Sequence, residues 1–219
     1  MITIFYTMVS DTPAQDRINA ILEKLPPVIS DKIAQYSSNS DKLARACGKL
    51  LLQKQLCHYG LAEKLTLKDM QYNQFNRPFL CSGFDFNIAH SNNMAICAAT
   101  NSGSIGIDVE AIKNMDITAL KDSFTPKEWQ NIKNSPQPVV AFYTQWVRKE
   151  SLLKAIGKGV YQSFPEVEAL DNLVSFGNKL YYLQELDIRA GYKVSISTNF
   201  PVKDISVVEI SFDELVKSS

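Results

Sequence analysis

Apolar positions along this chain follow two periods that take turns. MITIFYTMVS, a β-branched and aromatic run, predicts a first strand, and residues 11–24 then carry a helical pattern that closes on LPP. SDKLARACGKLLLQKQLCHYG opens on a cap candidate, Ser40. It spaces Leu43, Cys47, Leu50, Leu51 and Cys57 close to the helical period and stops at Gly60. Residues 61–84 follow neither period and include the turn-like NRPFLCSG. DFNIAHS and NMAICAATN, joined by a polar turn, and then SIGIDVEAI read as strands. TPKEW restarts the cycle as a capping box, with Thr125 as cap, Pro126 at the first helical position and Glu128 three residues after the cap. A longer helix is predicted from about Pro138 to Ile156, with Gly157 ending it. NLVSFGNKLYYLQELDI predicts a hairpin, and GYKVSISTN and DISVVEI predict further strands.

Helix followed by sheet therefore occurs twice. The pattern predicts an α+β fold of sandwich-like layering, with two similar subdomains related by a pseudo-twofold axis. Each is a small, mainly antiparallel sheet packed on a long helix. NMAICAATN and GYKVSISTN resemble each other, as a duplication would require. TNSGS is the most linker-like stretch, which divides the chain into residues 1–103 and 104–219.

Composition narrows the function classes. With 45% hydrophobic residues and 23 basic side chains balancing 23 acidic ones, the chain is neither disordered nor globally basic, so no nucleic-acid partner is expected. No run approaches a membrane span, and the apolar start lacks a basic leader, so a cytoplasmic protein is expected. Cys47, Cys57, Cys81 and Cys97 form no CxxC pair, and His58 and His90 are the only histidines, which argues against structural zinc. Cys47 and Cys97 read as buried reduced thiols.

The chemistry gathers around GIDVE. Residues two apart on a strand share a face, so Asp108 and Glu110 point one way while Ile107 and Val109 point into the core. Taken alone, the pair reads as two solvated acids on a strand face. In PVVAFYTQWVRKESLLKAIGKG, however, helical spacing puts Glu150 on one side with Val139, Tyr143, Trp146, Val147 and Leu153, and Lys154 one turn on. An intrahelical Glu150–Lys154 pair is the plain account of that acid. A metal shared by Asp108, Glu110 and Glu150 accounts for all three acids together. Carboxylates without cysteine or a nearby histidine favour a hard ion, Mg²⁺ or Mn²⁺, and Lys154 beside them suits phosphoryl-type transfer.

FNIAHS, GSIGIDVE and WVRKESLLKAIGKG, in this order and at these separations, resemble the three motifs of the 4′-phosphopantetheinyl transferase family. Length and apparent duplication place the resemblance with its long, pseudo-dimeric, monomeric class. It implies transfer of the phosphopantetheine arm of coenzyme A to a serine of an apo acyl or peptidyl carrier protein, with release of 3′,5′-ADP. It also implies Mg²⁺ held by Asp108, Glu110 and Glu150 against the coenzyme A pyrophosphate. Glu150 would be the base for the incoming serine, and Lys154 would neutralise the departing phosphate. His90 would lie near the coenzyme A 3′-phosphate. Arg77 in NRPFL, Arg45 and Lys32 are further candidates for the nucleotide, and Lys149 for the site rim. Ala89 stands where the family often has serine, so Ser91 or backbone amides would replace that contact. The carrier would meet residues 111–133, where Lys113, Lys121, Lys127 and Lys133 leave one net positive charge and Met115, Leu120 and Phe124 offer apolar anchors. Two other activities suit the same residues: non-catalytic binding of a carrier or coenzyme A, and Mg²⁺-dependent hydrolysis of a pyrophosphate.

Overall fold

The structure, a computed structural model, describes residues 1–10, 13–80, 83–157 and 164–217. The expectations for Cys81, for Ser82 in the NRPFLCSG turn and for the GKG end of the last motif (Lys158, Gly159) lie outside the described residues.

The first run forms β1 (Ile2–Met8), followed by α1 (Gln15–Leu22), α2 (Pro27–Ala34) and the long α3 (Asn39–His58). The stretch without a period holds a 3₁₀ turn (Leu67–Asp69) and two short strands, β2 (Gln71–Tyr72) and β3 (Pro78–Phe79). β4 (Asp85–Ser91), β5 (Met94–Thr100) and β6 (Ile105–Ala111) come next. A second 3₁₀ segment (Ile117–Ser123) leads to α4 (Pro126–Asn134) and α5 (Pro138–Ile156). β7 (Leu173–Phe176), β8 (Lys179–Glu185), β9 (Tyr192–Thr198), β10 (Ile205–Glu209) and α6 (Phe212–Lys217) follow.

Local chemistry explains the helix ends. Ser38 rather than Ser40 caps α3, because its hydroxyl is the one that accepts the Asp41 N–H. Thr125 and Glu128 cap α4 reciprocally, as the TPKE pattern predicts. Gly157 closes α5 at φ 77°, a conformation open to glycine at little cost.

Two four-stranded sheets result, ordered β10-β1-β5-β4 and β6-β9-β8-β7. Every pairing is antiparallel except β1 with β10. The two similar stretches, β5 and β9, are each an inner strand of their own sheet. β10 lies C-terminal to the 103/104 division yet joins the first sheet, and Leu215 of α6 completes the core on the α3 side.

Strand alternation sorts the side chains into layers. Phe5, Cys97 and Phe86 face α3 with Leu43, Cys47, Leu50 and Leu51. On the opposite faces Ile2, Ile4, Ile96 and Ala98 meet Ile105, Ile107, Val109, Val194 and Ile196, so the sheets press their apolar sides together. Burying each such side chain contributes about 1.5–3 kcal/mol. Cys57, expected on the apolar face of α3, is exposed, because it lies in the last turn beyond the sheet. No helix among the described residues is long and apolar enough to cross a membrane.

Candidate functional site

Gly106 decides how closely the second long helix approaches its sheet. A Cβ at this position would stand 2.1 Å from the Ser151 carbonyl oxygen and 2.5 Å from the Ala155 nitrogen. With glycine there, α5 lies directly on β6. Ser151 adds a buried hydroxyl contact at 2.8 Å to Ser197 and one at 3.2 Å to Ser195. Asp108, one strand period beyond Gly106, is thereby brought against Glu150 and Lys154, which lie one helical turn apart on α5.

Lys154 Nζ donates to Asp108 Oδ1 at 2.6 Å and stands 3.8 Å from Glu150 Oε2. Glu110, on the same face of β6, accepts instead from the Ser91 hydroxyl at 2.6 Å. Asp108 and Glu150, both largely buried, thus flank one ammonium, with Glu110 on the same strand face. Burial drives the Asp108 carboxyl above its usual range despite the pull of Lys154. Burial likewise raises Glu110, with Asp108 adding to the rise and Ser91 opposing it. Glu150 is pushed up to about 7, first by burial; Lys154 works against the shift, while Asp108 and Glu110 add to it. Burial disfavours the charge of Lys154, yet Asp108 and Glu150 raise it overall, so it stays protonated.

Asp108 Oδ2 is buried with no hydrogen-bond partner. An orphaned carboxylate oxygen is costly, and a divalent cation is one group that satisfies it. The donor set of three carboxylates, all held above their usual range, fits a hard, oxygen-preferring ion. Among the described residues, however, no three acid, imidazole or thiol groups already converge into a cage. The contacts account for this: Lys154 holds Asp108, and Ser91 holds Glu110.

Beside the acids lies a basic cluster. His90 Nδ1 is 3.7 Å from Asp41 Oδ1, and burial followed by the Arg45 charge drives its imidazole down to about 4; Lys154 and Lys49 push the same way and Asp41 opposes. Arg45 pairs with Asp41 at 2.9 Å and lies 3.9 Å over the Tyr36 ring. Lys32 stands 5.2 Å from the Tyr72 ring. Lys49 was not singled out from the sequence. Burial, together with Arg45 and Lys32, lowers it to about 8. A base that is easier to discharge when alone gains most from an anion. Its position four residues after Arg45, on the same helical face, was the available signal. Lys32, Arg45, Lys49 and His90 thus form one basic cluster.

Two expected contacts lie elsewhere. The Arg77 guanidinium is committed within the protein, bidentate to Asp85 at 2.9 and 2.7 Å and donating to the carbonyls of Lys154 and Ile105. It cross-ties β4, β6 and the end of α5. Lys149 is wholly buried on the far side of α5, 2.6 Å from Glu128, and it donates also to the Val167 carbonyl. Residues adjacent on a helix point about 100° apart, and Lys149 is the neighbour of Glu150 that turns toward Glu128 of α4. Of the expected carrier anchors, Phe124 is buried among Trp129, Phe142 and Trp146, Leu120 is packed against that cluster, and Met115 is exposed.

Comparison with known proteins matches residues 104–201 to the family model described as the 4′-phosphopantetheinyl transferase superfamily. The chain is similar to the 4′-phosphopantetheinyl transferase gsp of Aneurinibacillus migulanus, at 27% identity over 98% of this chain and 94% of that one. It is 24% identical to the 4′-phosphopantetheinyl transferase Sfp of Bacillus subtilis strain 168, over 96% of this chain and 99% of that one. It is 33% identical to the 4′-phosphopantetheinyl transferase HetI of a Nostoc species, over 56% of this chain and 60% of that one.

Proposed function

The chain belongs to the 4′-phosphopantetheinyl transferase superfamily, and on that premise we propose that it transfers the phosphopantetheine arm of coenzyme A to a serine hydroxyl of an apo carrier protein. The observation that carries the proposal is the junction of α5 and β6, where Glu150, Lys154 and Asp108 meet beside the basic cluster of His90, Arg45, Lys49 and Lys32.

The basic cluster takes the nucleotide end of coenzyme A, with His90 and its neighbours set to receive the 3′-phosphate. The pyrophosphate then lies toward Asp108, Glu110 and Glu150, the residues that would hold Mg²⁺ or Mn²⁺. When bound, such an ion supplies charge neutralisation at the pyrophosphate. Glu150, poised near neutrality, accepts the proton of the incoming serine. The serine oxygen forms a bond to the phosphorus that carries the pantetheine arm, and the bond from that phosphorus to the bridging oxygen breaks. 3′,5′-ADP leaves with the electron pair, and Lys154 balances its charge. Positioning and charge neutralisation carry most of the rate in such transfers. We extend the proposal to a monomer, since a single chain supplies both sides of the junction.

The test is to incubate the protein with an apo carrier, coenzyme A and Mg²⁺ and weigh the carrier. A gain of one phosphopantetheine, abolished by chelator, is expected. Cleavage of coenzyme A without carrier labelling, or binding without either, across a panel of apo carriers overturns the proposal.

A further inference from the structure

The seam between the two sheets has a repeating construction. β6 is an edge strand, and several of its outward N–H groups donate to side chains of β4 rather than to another strand. Ile105 N–H reaches Asp85 Oδ2 at 2.8 Å, Ile107 N–H reaches Asn87 Oδ1 at 2.9 Å, and Ala111 N–H reaches Ser91 Oγ at 3.1 Å. The rungs join residues at one constant sequence offset and recur at strand spacing. The step between Asn87 and Ser91 falls on Ala89, which has no side-chain acceptor to offer.

The last rung differs in kind from the others. Ser91 Oγ accepts from Ala111 N–H and spends its own proton on Glu110 Oε2 at 2.6 Å. A hydroxyl has one proton to give. Ser91 therefore cannot hold Glu110 and donate to a ligand phosphate as well, which argues against the ligand contact expected from the sequence. Its oxygen is fixed to a strand backbone, so the carboxylate it holds is fixed too.

We propose that Ser91 is a positioning residue for the cation site, anchoring Glu110 by one carboxylate oxygen and presenting the other to the metal. The inference rests on the metal reading given above and deepens it. The first sheet, through one hydroxyl at its edge, sets where an acid of the second sheet meets the ion.

Mn²⁺ binding, measured calorimetrically on the full chain in the presence of coenzyme A and without carrier, tests it. Ser91→Ala should weaken Mn²⁺ affinity about tenfold, the usual scale for losing a residue that orients a ligand, and Ser91→Thr should restore it to within about twofold. Ser91→Cys, close in size, covers the case in which the alanine variant misfolds and should fall between them. Asn87→Ser shortens a rung that touches no acid; it should lower the melting temperature and leave Mn²⁺ affinity unchanged. Equal affinity in wild type and Ser91→Ala overturns the inference alone, as does an equal loss in Asn87→Ser. Wild-type protein that takes up no Mn²⁺ overturns the metal reading and this inference with it.

Discussion

Glu150→Gln should make the metal-free protein more stable at pH 8 while abolishing transfer. Glu150 titrates at about 7 in the fold against a reference of 4.5. At 1.36 kcal/mol per pKa unit, ionised Glu150 therefore costs the fold roughly 3 kcal/mol. Because its folded pKa is the higher one, the fold holds that proton more tightly than the unfolded chain does. Stability accordingly falls as pH rises from about 4.5 to about 7 and is level above that window. That cost is already net of the attraction of Lys154, 3.8 Å away, so glutamine, which stands for the neutral acid, should gain about 3 kcal/mol, or roughly 6–12 °C for a chain of this size. Thermal unfolding in chelator at pH 5, 6, 7 and 8 reads it directly. The offset should be large at pH 8 and shrink to less than about a third by pH 5. An offset independent of pH, or a variant less stable at pH 8, refutes the reasoning.

Four further outcomes are expected. Gly106→Ala forces a methyl into the backbone of α5 and should cost about 3 kcal/mol or more by urea titration, at the upper end of overpacking, with labelling lost in the folded fraction. Lys149→Met strands the buried Glu128 carboxylate and should cost about 3–5 kcal/mol, much of it recovered in Lys149→Met/Glu128→Gln. Arg77→Ala should lower the melting temperature but leave coenzyme A affinity within about twofold, because its donors serve the protein; a large affinity loss at unchanged stability would return it to the ligand. Lys49→Ala should weaken coenzyme A binding about tenfold, the scale of one charge-assisted contact, and leave dephospho-coenzyme A binding nearly unchanged.

Legibility in the sequence followed how local the cause was. The capping box at Thr125, the stop at Gly157 and the period-two runs are short-range signals, and they stand where the pattern puts them. Asp108 and Glu110 share a face because of strand geometry alone, and Glu150 with Lys154 because of helix geometry alone. What spacing could not supply is which group each side chain finds once the elements pack. Glu110 finds Ser91, Arg77 finds Asp85, and Lys149 finds Glu128, partners 19, 8 and 21 residues away. Gly106 is similar: the glycine is visible in GSIGIDVE, but only the helix pressed against it shows why no side chain fits. Lys49 is not legible because a lysine on a helix ordinarily snorkels to solvent, whereas this one is buried, its ammonium 3.9 Å from Met70 Sδ.

The parallel pairing of β1 with β10 fixes when the protein finishes folding. Ile2 to Tyr6 lie alongside Ile205 to Glu209, and Tyr6 donates to Glu209 across 203 residues. No local turn nucleates such a pair; it must bear nearly the whole chain's loop-closure entropy. A ribosome therefore delivers every residue of the site by Lys154 and then makes some fifty more before the sheet beneath His90 gains its last strand. Until then β1 presents an open edge, the kind of surface on which nascent chains aggregate. The chemistry is synthesised early, and the scaffold that holds it closes last.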